Sequence, residues 1–452
     1  MPTANIKGLT FSGLQGDTYG GSTYKSAATV MAEIDAAKNN FGCTAVRLQI
    51  QQQMLVGQDG LQCDSTYKAT VDSVVQHALD AGLIVIINCQ TLTKGSRSGL
   101  YYPNQSNNAT NAFWEHMSVG WNGNANVIFD VFNEPDCNPG ANPGGDWLVW
   151  QSSFNALIGY MRNTLGITNT LWADADDYAR TFAGCPGLTD PNDNLVYSFH
   201  HPSSAAGGDS AGWDADYGNW ASSHPVVNGE FAQNETFNWN NPYVIQHYLD
   251  YLSSHGIGQT LWTVFGDNYF SDASRQPCGW WGHMIANRWA NTGWSTYVFR
   301  SSVKWSANYK IAGPKITWGD MYQGWSAAQN SMLVSLAGFN DLTARMAEGS
   351  QWRIHVAFKT IHANGSSVTA LLSLHRQANE PVTRPSTMTL DVAQRAGCVS
   401  GRSYNIDVPS GYLTSFRNGT YKGIGYGPGP SQDVAYQGHH DEFPFIVLEV
   451  HA

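Results

Sequence analysis

Short apolar runs alternate with helix-periodic segments over roughly the first 265 residues of this chain. In "VDSVVQHALDAG" (71–82) the apolar residues recur at helical spacing and a glycine ends the segment; the apolar run "LIVIINCQ" (83–90) follows at once. Continuous rather than alternating hydrophobicity is typical of strands buried on both faces of a parallel sheet. The pattern therefore predicts a succession of strand and helix units.

Eight of the apolar runs are predicted to be strands, and helices separate nearly all of them. Their sequences are "IKGLTFSG" (6–13), "TAVRLQI" (44–50), "LIVIINCQ" (83–90), "VIFDVF" (127–132), "TLWADA" (170–175), "NLVYSFH" (194–200), "PVVNGEF" (225–231) and "GQTLWTVF" (258–265). This count predicts an α/β fold, a (β/α)8 TIM barrel, rather than an open doubly wound sheet, whose nucleotide fingerprint is absent from the sequence.

The pattern changes from about residue 315 to the end of the chain. Runs such as "WRIHVAFKTI" (352–361), "SVTALLSLHR" (367–376) and "FPFIVLEVHA" (443–452) are rich in β-branched residues, partly alternating and joined by turn residues. They predict an appended C-terminal antiparallel β-sandwich over 315–452 after a barrel domain over 1–314. Since no Pro/Ser/Thr-rich linker joins the two, a sandwich packed on the barrel is favoured over a separate carbohydrate-binding module.

Composition and charge exclude several classes of partner. Charged residues make up only 13% of the chain and aromatic residues 12%, with 17 Trp and a net charge of −11. This balance argues against nucleic acid and anionic membranes as partners and favours a neutral ligand. We expect the protein to be a monomer. No window is long enough for a transmembrane helix, and "MPTANIKGLTF" lacks the regions of a signal peptide. We expect a secreted protein whose signal is not in this sequence.

The seven cysteines indicate disulfides rather than metal binding. They show neither CxxC pairs nor the spacing to His that structural zinc requires. Several lie in Gly/Pro-rich loops, and the first predicted disulfide joins Cys137 to Cys185, with at least one thiol left free. The acidic run "ADADD" (173–177) is ordinary for a strand end, and the adjacent His200 and His201 point to opposite faces. The sequence therefore predicts no metal and no cofactor.

Two glutamates end apolar runs on opposite arcs of the predicted barrel. Glu134 follows the fourth run, where Pro135 stops the strand, and Glu230 ends the seventh. Barrel enzymes place their chemistry at the carboxyl ends of the strands, so both side chains are expected in one cleft. Acetal hydrolysis needs such a pair, one carboxylate that attacks the anomeric carbon and one carboxylic acid that protonates the leaving oxygen.

These residues carry a resemblance to a known family. "NEP" (133–135), "NGEF" (228–231), "VRL" (46–48), the His that ends the sixth strand and the Trp on the eighth resemble glycoside hydrolase family 5, the cellulase-like family of clan A, over about residues 5–300. The resemblance implies a retaining enzyme with Glu134 as general acid/base and Glu230 as nucleophile. It also implies that Arg47 supports the nucleophile, Asn133 binds the sugar 2-hydroxyl, His200 joins the catalytic hydrogen-bond network and Trp262 underlies the sugar.

Two positions depart from the family pattern. Gln90 stands where the third strand of the family usually ends in His, and Pro202 in "HHP" stands where a Tyr is usual. We expect Gln90 to contact substrate, Tyr269 to replace the missing Tyr and Trp281 in "CGWWG" to offer a stacking surface for a sugar.

The sequence thus predicts a retaining β-glycoside hydrolase for a β-linked glycan, such as a β-glucan or a related hemicellulose, with its two carboxyl groups about 5–5.5 Å apart. Alternatives on the same scaffold are a transglycosylase, an exo-acting β-glycosidase of unusual specificity and a non-hydrolytic carbohydrate-binding barrel. The sugar, its linkage and endo or exo action depend on loop shapes that the sequence does not specify.

Overall fold

A closed barrel of eight parallel strands forms the first part of the molecule in the computed structural model. Each strand pairs with the next, and β8 pairs with β1. The strands are β1 (Lys7–Phe11), β2 (Ala45–Gln51), β3 (Ile84–Gln90), β4 (Val127–Asp130), β5 (Leu171–Asp174), β6 (Leu195–Phe199), β7 (Val226–Phe231) and β8 (Gly258–Leu261). All eight lie within the predicted runs or extend them by one residue, so the predicted (β/α)8 barrel is confirmed.

The structure describes residues 3–15, 23–57, 65–91, 102–104, 109–135, 146–200, 210–231, 242–264, 270, 274–277 and 279–290, together with the backbone of the strands beyond residue 293. The predicted contact residue Tyr269 lies outside these ranges, as does Cys137.

Helices follow most of the strands. They span Ala27–Phe41, Gln52–Val56, Ser65–Asp80, Thr110–Met117, Trp147–Gly159, Ser210–Trp213, Asn219–Ala221, Pro242–Ser254 and Gly279–Ala290. Ser26 caps the first of them by accepting a hydrogen bond from the backbone N–H of Thr29, and Gly42 ends it in the left-handed conformation. These caps explain why the apolar period between the first two strands forms a helix with sharp ends.

Several elements differ from the sequence prediction. The apolar segment "WLVWQSSFNALIGYMRNTLG" (147–166), which predicts one continuous helix, forms an α-helix to Gly159 and then a π-helical turn at Tyr160–Thr164. The fourth and eighth strands end at Asp130 and Leu261, earlier than their apolar runs. The helix Gly279–Ala290, which contains Trp281, was not predicted, because its aromatic residues do not follow a clear helical period.

An apolar layer fills the interior of the barrel. Its members come from successive strands and pack together as one cluster: Ile6, Ala45, Ile86, Ile128, Trp172, Val196 and Val227. Each of these seven residues is at least 97% buried. The barrel is therefore a packed core at this level, and open space for a ligand is expected only towards the carboxyl ends of the strands.

Beyond residue 293 the described backbone consists of β-strands. Trp294–Arg300, Phe445–His451, Gln351–Ile361, Ser367–Arg376 and Asn405–Asp407 form a five-stranded sheet that is antiparallel except for its last pair. A three-stranded sheet joins Ser302–Val303, Ser331–Ser335 and Met388–Asp391, and a two-stranded sheet joins Lys315–Ile316 and Tyr436–Gln437. Chain contacts place 276–452, with 233–246 and 267–271, in a compact unit of their own. The sandwich and its boundary at 314 stay predictions.

The predicted Cys137–Cys185 disulfide is wrong for this structure, in which Cys185 is a free thiol. Burial raises the pKa of this thiol to about 12, so it lies in the interior as a protonated, unreactive group. Among the described residues, no helix combines the length and the hydropathy that crossing a membrane requires.

Candidate active site

Arg47 organises the polar end of the barrel interior. It lies on β2 and is fully buried. Its guanidinium donates hydrogen bonds to one residue on β4, one on β7 and one in the loop that follows β4. Nε donates to Asp130 Oδ2 at 2.7 Å, Nη2 donates to Asn133 Oδ1 at 2.7 Å and Nη1 donates to Glu230 Oε1. A planar fork with fixed donors holds all three partners in one geometry.

Glu230, at the end of β7, accepts two hydrogen bonds on the same oxygen. Besides the bond from Arg47, Gln49 Nε2 donates to Oε1 at 2.8 Å. Among the described residues, no hydrogen bond reaches the other oxygen, Oε2, which lies 3.8 Å from His200 Nδ1. The carboxylate is therefore fixed through Oε1, and Oε2 is the oxygen that can react.

His200 connects Glu230 to the second glutamate. Its Nδ1 lies 2.9 Å from Glu134 Oε1, and its Nε2 lies 3.2 Å from Asp174 Oδ2. The ring is fully buried, which alone would lower its pKa, but the carboxylates of Asp174 and Glu230 outweigh burial and raise the pKa to about 10. At neutral pH His200 is thus an imidazolium whose Nδ1–H donates to Glu134 Oε1 and whose Nε2 lies at ion-pair distance from Asp174 Oδ2.

Glu134 is presented by an unusual backbone conformation. Its φ of 45° lies in the left-handed region, where a side chain with a Cβ is strained. The backbone N–H of Glu134 donates to Asp174 Oδ2 at 2.9 Å, which fixes this conformation. The side chain is 21% exposed, whereas that of Glu230 is 6% exposed. Glu134 therefore reaches solvent while Glu230 lies deeper.

A second left-handed segment lies beside Glu134. Asp177, Tyr178 and Ala179 have φ values of 52°, 60° and 58°, a run that costs L-residues roughly 1–2 kcal/mol each. Tyr178 N–H donates to the carbonyl oxygen of Pro135, and His200 N–H donates to that of Ala179. This turn ties the loop of Glu134 to the strand end of His200, which compensates for its strain.

Burial and neighbouring charges shift the pKa values of the other carboxyl groups. Burial raises the pKa of Glu230 above its ordinary value, and the Glu134 carboxyl adds to this, although His200 and Arg47 oppose it. Burial also raises the pKa of Asp130, to about 7, against the opposing charge of Arg47. Burial would raise the pKa of Asp174 as well, but the His200 imidazolium reverses the shift and lowers it. Arg47 and His200 are thus the two cations that neighbour three buried carboxyl groups. This excess of acids favours a protonated form of one carboxyl group.

The same three residues also lie close enough together to be considered as metal ligands. Glu134, His200 and Glu230 each offer a ligand atom within 4.8 Å of the others. Glu134 is already hydrogen-bonded to His200, and Glu230 to Arg47, so a metal would have to displace these partners. The arrangement therefore fits a proton-transfer site better than a metal site.

The structure brings six of the nine predicted site residues to the carboxyl ends of the barrel strands: Arg47, Gln90, Asn133, Glu134, His200 and Glu230. Trp262 follows β8 and is half-buried. Trp281 lies on the helix Gly279–Ala290 with its side chain outside the described set, and Tyr269 also lies outside it. Sequence reasoning missed Gln49 and the buried Asp130. Both residues could have been found from the sequence, because a polar residue inside an otherwise apolar strand is a candidate for the polar interior of the barrel.

Comparison with known proteins identifies a family and several similar solved structures. The Cellulase family (glycosyl hydrolase family 5) matches residues 3–298. An endo-beta-1,4-glucanase from Xanthomonas axonopodis pv. citri is a similar solved structure, with 16% identity, a TM-score of 0.48 and coverage of 63% of this chain and 99% of that chain. Cel5A from Hypocrea jecorina (Trichoderma reesei) has 17% identity, a TM-score of 0.44 and coverage of 57% and 88%.

The family match spans well over half of the chain and includes all eight barrel strands. The protein therefore belongs to the cellulase family, glycosyl hydrolase family 5, and is a glycoside hydrolase.

Proposed function

We propose that the protein is a retaining β-glycoside hydrolase that cleaves a β-linked glycan, with Glu230 as nucleophile and Glu134 as general acid/base. The observation that carries this proposal is the close approach of the two glutamates, since one carboxylate oxygen of each lies within 4.8 Å of the other and of a ring nitrogen of His200. Retaining glycosidases separate their carboxyl groups by about 5–5.5 Å, and inverting enzymes by about 6.5–9.5 Å to admit a water. The shorter spacing favours direct attack by a carboxylate.

In the first step Glu230 Oε2 attacks the anomeric carbon. Arg47 and Gln49 hold Oε1, so the remaining oxygen is directed to the substrate. The bond from Oε2 to the anomeric carbon forms as the bond from that carbon to the leaving oxygen breaks. Fixing the carboxylate before the reaction avoids the entropy cost of orienting it in the transition state.

Glu134 supplies the proton to the leaving oxygen. Because His200 Nδ1–H occupies Glu134 Oε1, the transferable proton resides on Oε2. After the first step the charge of Glu230 is consumed in the glycosyl ester, and Glu134, now ionised, accepts a proton from the water that hydrolyses this ester. His200 stays protonated in both steps and positions Glu134.

Asn133 and Trp262 fit roles in substrate binding. Arg47 occupies the carbonyl oxygen of Asn133, so the amide NH₂ is the group that Asn133 can offer to a sugar hydroxyl. Trp262 follows β8 at the carboxyl end of the barrel and is only half-buried, which leaves ring surface for stacking on a sugar. A polymeric glycan is met outside the cell, and we propose a secreted monomer on that ground.

Two alternatives share the scaffold. A non-hydrolytic sugar-binding barrel has no need for both glutamates, and both are present in hydrogen-bonded positions. A transglycosylase uses the same residues and differs in whether water or a sugar hydroxyl resolves the ester. Addition of an acceptor alcohol during turnover distinguishes the two, because a transglycosylase diverts most of its product to the alcohol.

The proposal is tested by NMR of the first product formed from aryl β-glycosides or β-glucans. Retention gives the β-anomer first, and mutarotation then produces the α-anomer. In Glu134→Gln, azide should restore turnover of an activated aryl glycoside and yield a β-glycosyl azide. An α-anomer formed first would assign the protein to the inverting class, and an azide product of α-configuration would make Glu134 the nucleophile; either result would contradict the proposal.

A further inference from the structure

Amide side chains form a ladder on the interior faces of β2 and β3. The two strands pair in parallel register, with Gln49 opposite Asn88 and Gln51 opposite Gln90. Side chains of a strand alternate between faces, so Gln49 lies on the same face as Arg47, towards the interior of the barrel. The ladder therefore borders Glu230, to which Gln49 is bonded.

Within the described part of the chain, three amides of this ladder keep polar atoms without a hydrogen-bond partner. Gln49 Oε1 and Gln90 Oε1 accept no hydrogen bond, and Asn88 uses neither its oxygen nor its nitrogen. These side chains belong to residues that are at least 96% buried. Native proteins rarely leave buried polar atoms unpaired, because each such atom loses its hydration without compensation. The unused acceptors therefore indicate a polar ligand.

Exposure separates the ladder into two levels. Gln49 and Gln90 are 2% and 4% exposed, close to the 4% of Glu230, whereas Asn88 is fully buried. A sugar at the carboxylate of Glu230 would meet Gln49, which is bonded to that carboxylate, and Gln90 is exposed to a similar small degree on the neighbouring strand. Asn88 pairs in register with Gln49 on β2 and with Asp130 on β4, and it is the one of the three amides that solvent does not reach, so it forms the deeper level.

We propose that Gln49 and Gln90 recognise hydroxyl groups of the sugar ring that Glu230 attacks, with Gln49 also positioning that carboxylate. This inference rests on the proposed function and extends it to the glycone. Amide oxygens accept hydrogen bonds from hydroxyl groups and offer no charge to a carboxylate, so the ligand is an uncharged, fully hydroxylated ring rather than a uronic acid. Gln90 would supply contacts at the position where the family usually has a His.

The test combines isosteric variants with substrates that lack one hydroxyl. The best aryl β-glycoside of the wild type is compared with its 3-, 4- and 6-deoxy glycone analogues in the wild type, Gln90→Met and Gln49→Met. For Gln90→Met we expect about a tenfold loss of kcat/KM on the parent glycoside and almost none on the analogue that lacks the recognised hydroxyl. For Gln49→Met we expect the loss of kcat/KM to disappear on the analogue that lacks a second hydroxyl. In addition, kcat should fall equally on all substrates, because Gln49 no longer positions the Glu230 carboxylate.

Asn88→Leu is the matched control, since it removes an amide of the same ladder one level deeper. Any loss in this variant should be equal on the parent and on every analogue. Equal losses on all substrates in both glutamine variants would overturn the inference and assign the amides to the packing of the barrel. Titration of tryptophan fluorescence with the free sugar and its deoxy forms gives the same comparison for binding without turnover.

This outcome is separable from the fate of the proposed function. Retaining hydrolysis is judged on the wild type and the parent glycoside, whereas the amide inference is judged on ratios between parent and analogues. A wild type that forms the β-anomer first while both glutamine variants show uniform losses would leave the mechanism standing and remove the inference alone.

Discussion

Two adjacent layers of the barrel interior are built from the same strands and have opposite character. Six strands carry an apolar residue and, two positions later on the same face, a polar residue or a glycine. The pairs are Ala45 and Arg47, Ile86 and Asn88, Ile128 and Asp130, Trp172 and Asp174, Val196 and Ser198, and Val227 and Gly229. The apolar core of the barrel and the candidate active site are thus separated by only two residues along each of these strands.

The difference shows how the fold can bury charged groups without losing its stability. The apolar layer buries its side chains with a gain in free energy, whereas the polar layer takes charges out of water at a cost that only close pairing offsets. Arg47, Asp130 and Asp174 are fully buried and held by short hydrogen bonds or ion pairs. We therefore expect changes in the apolar layer to alter stability and changes in the polar layer to alter chemistry as well.

Glu230→Gln tests the polar layer at its reacting group. The variant keeps the size of the side chain and removes the charge that attacks the substrate, so kcat/KM should fall by at least about 10⁴-fold while the fold is kept. The measurement is steady-state hydrolysis of an aryl β-glycoside. Glu115→Gln, on the helix Thr110–Met117, is the matched control and should retain full activity. Comparable activity in the two variants would remove Glu230 from the mechanism.

Arg47→Met leaves Asp130 and Glu230 buried without their cation. Breaking a buried pair in this way costs about 3–5 kcal/mol, and the free energy of unfolding should fall by that amount in urea titrations at neutral pH. Because burial alone raises the pKa of each abandoned carboxyl, part of the loss should be recovered at lower pH, where these groups protonate. A loss independent of pH would show that Arg47 contributes by packing alone.

Ile128→Ala and Asp130→Asn compare the two layers on a single strand. Ile128→Ala creates a cavity in the apolar layer and should lower the free energy of unfolding by about 2–5 kcal/mol with kcat/KM close to that of the wild type. Asp130→Asn keeps the shape of the side chain that accepts a hydrogen bond from Arg47 Nε. It should alter kcat/KM more than the free energy of unfolding. If both variants lost activity in proportion to stability, the separation of the layers would fail.

Gly229→Ala tests the close approach of β7 to His200. A Cβ at this position would lie 2.3 Å from Ser198 Oγ and 3.1 Å from His200 Nε2, so the hydroxyl must turn away and the imidazole must give by a few tenths of an ångström. Since misplacement by about 1 Å costs on the order of 10²-fold in rate, we expect a smaller loss of kcat/KM here. Gly159→Ala is the control, because its nearest neighbour is Asn163 Nδ2 at 3.9 Å and alanine should stabilise the helix by about 0.5–1 kcal/mol. Unchanged kcat/KM in Gly229→Ala would show that the His200 position is not critical.

The pH dependence of kcat/KM follows from the pKa of Glu230. Burial raises this pKa above the ordinary 4.5, and the nucleophile must be ionised to attack. The ionised fraction falls as the pH drops through the raised pKa, so activity should decline at a pH above 4.5. A pH profile that stays level down to 4.5 would contradict the environment described for Glu230.

The fold was predictable because each barrel strand is an apolar run between turn signals, as in "LIVIINCQ" before the polar loop. Glu134, with Pro135 after it, and Glu230 at the end of the seventh run were recognisable for the same reason. The sequence resemblance added Arg47, Asn133 and His200, all of which the structure places around the two glutamates.

The remaining features depend on the register between strands that are distant in sequence. Gln49 reaches Glu230 across 181 positions, and Arg47 reaches Asp130 across 83, so no local pattern reports these bonds. The left-handed φ of Glu134 is fixed by Asp174, 40 positions away. The disulfide prediction for Cys185 failed because a Gly/Pro-rich context was interpreted as an exposed loop, whereas the thiol is buried.

The most direct test of the central claim is to trap the glycosyl ester with an activated 2-deoxy-2-fluoro β-glycoside and to map the labelled peptide by mass spectrometry. We expect one fluorosugar per protein on Glu230, with no label in Glu230→Gln and reactivation when an acceptor sugar is added. A label on Glu134 would reverse the roles of the two glutamates, and normal turnover without any covalent adduct would contradict the double-displacement mechanism.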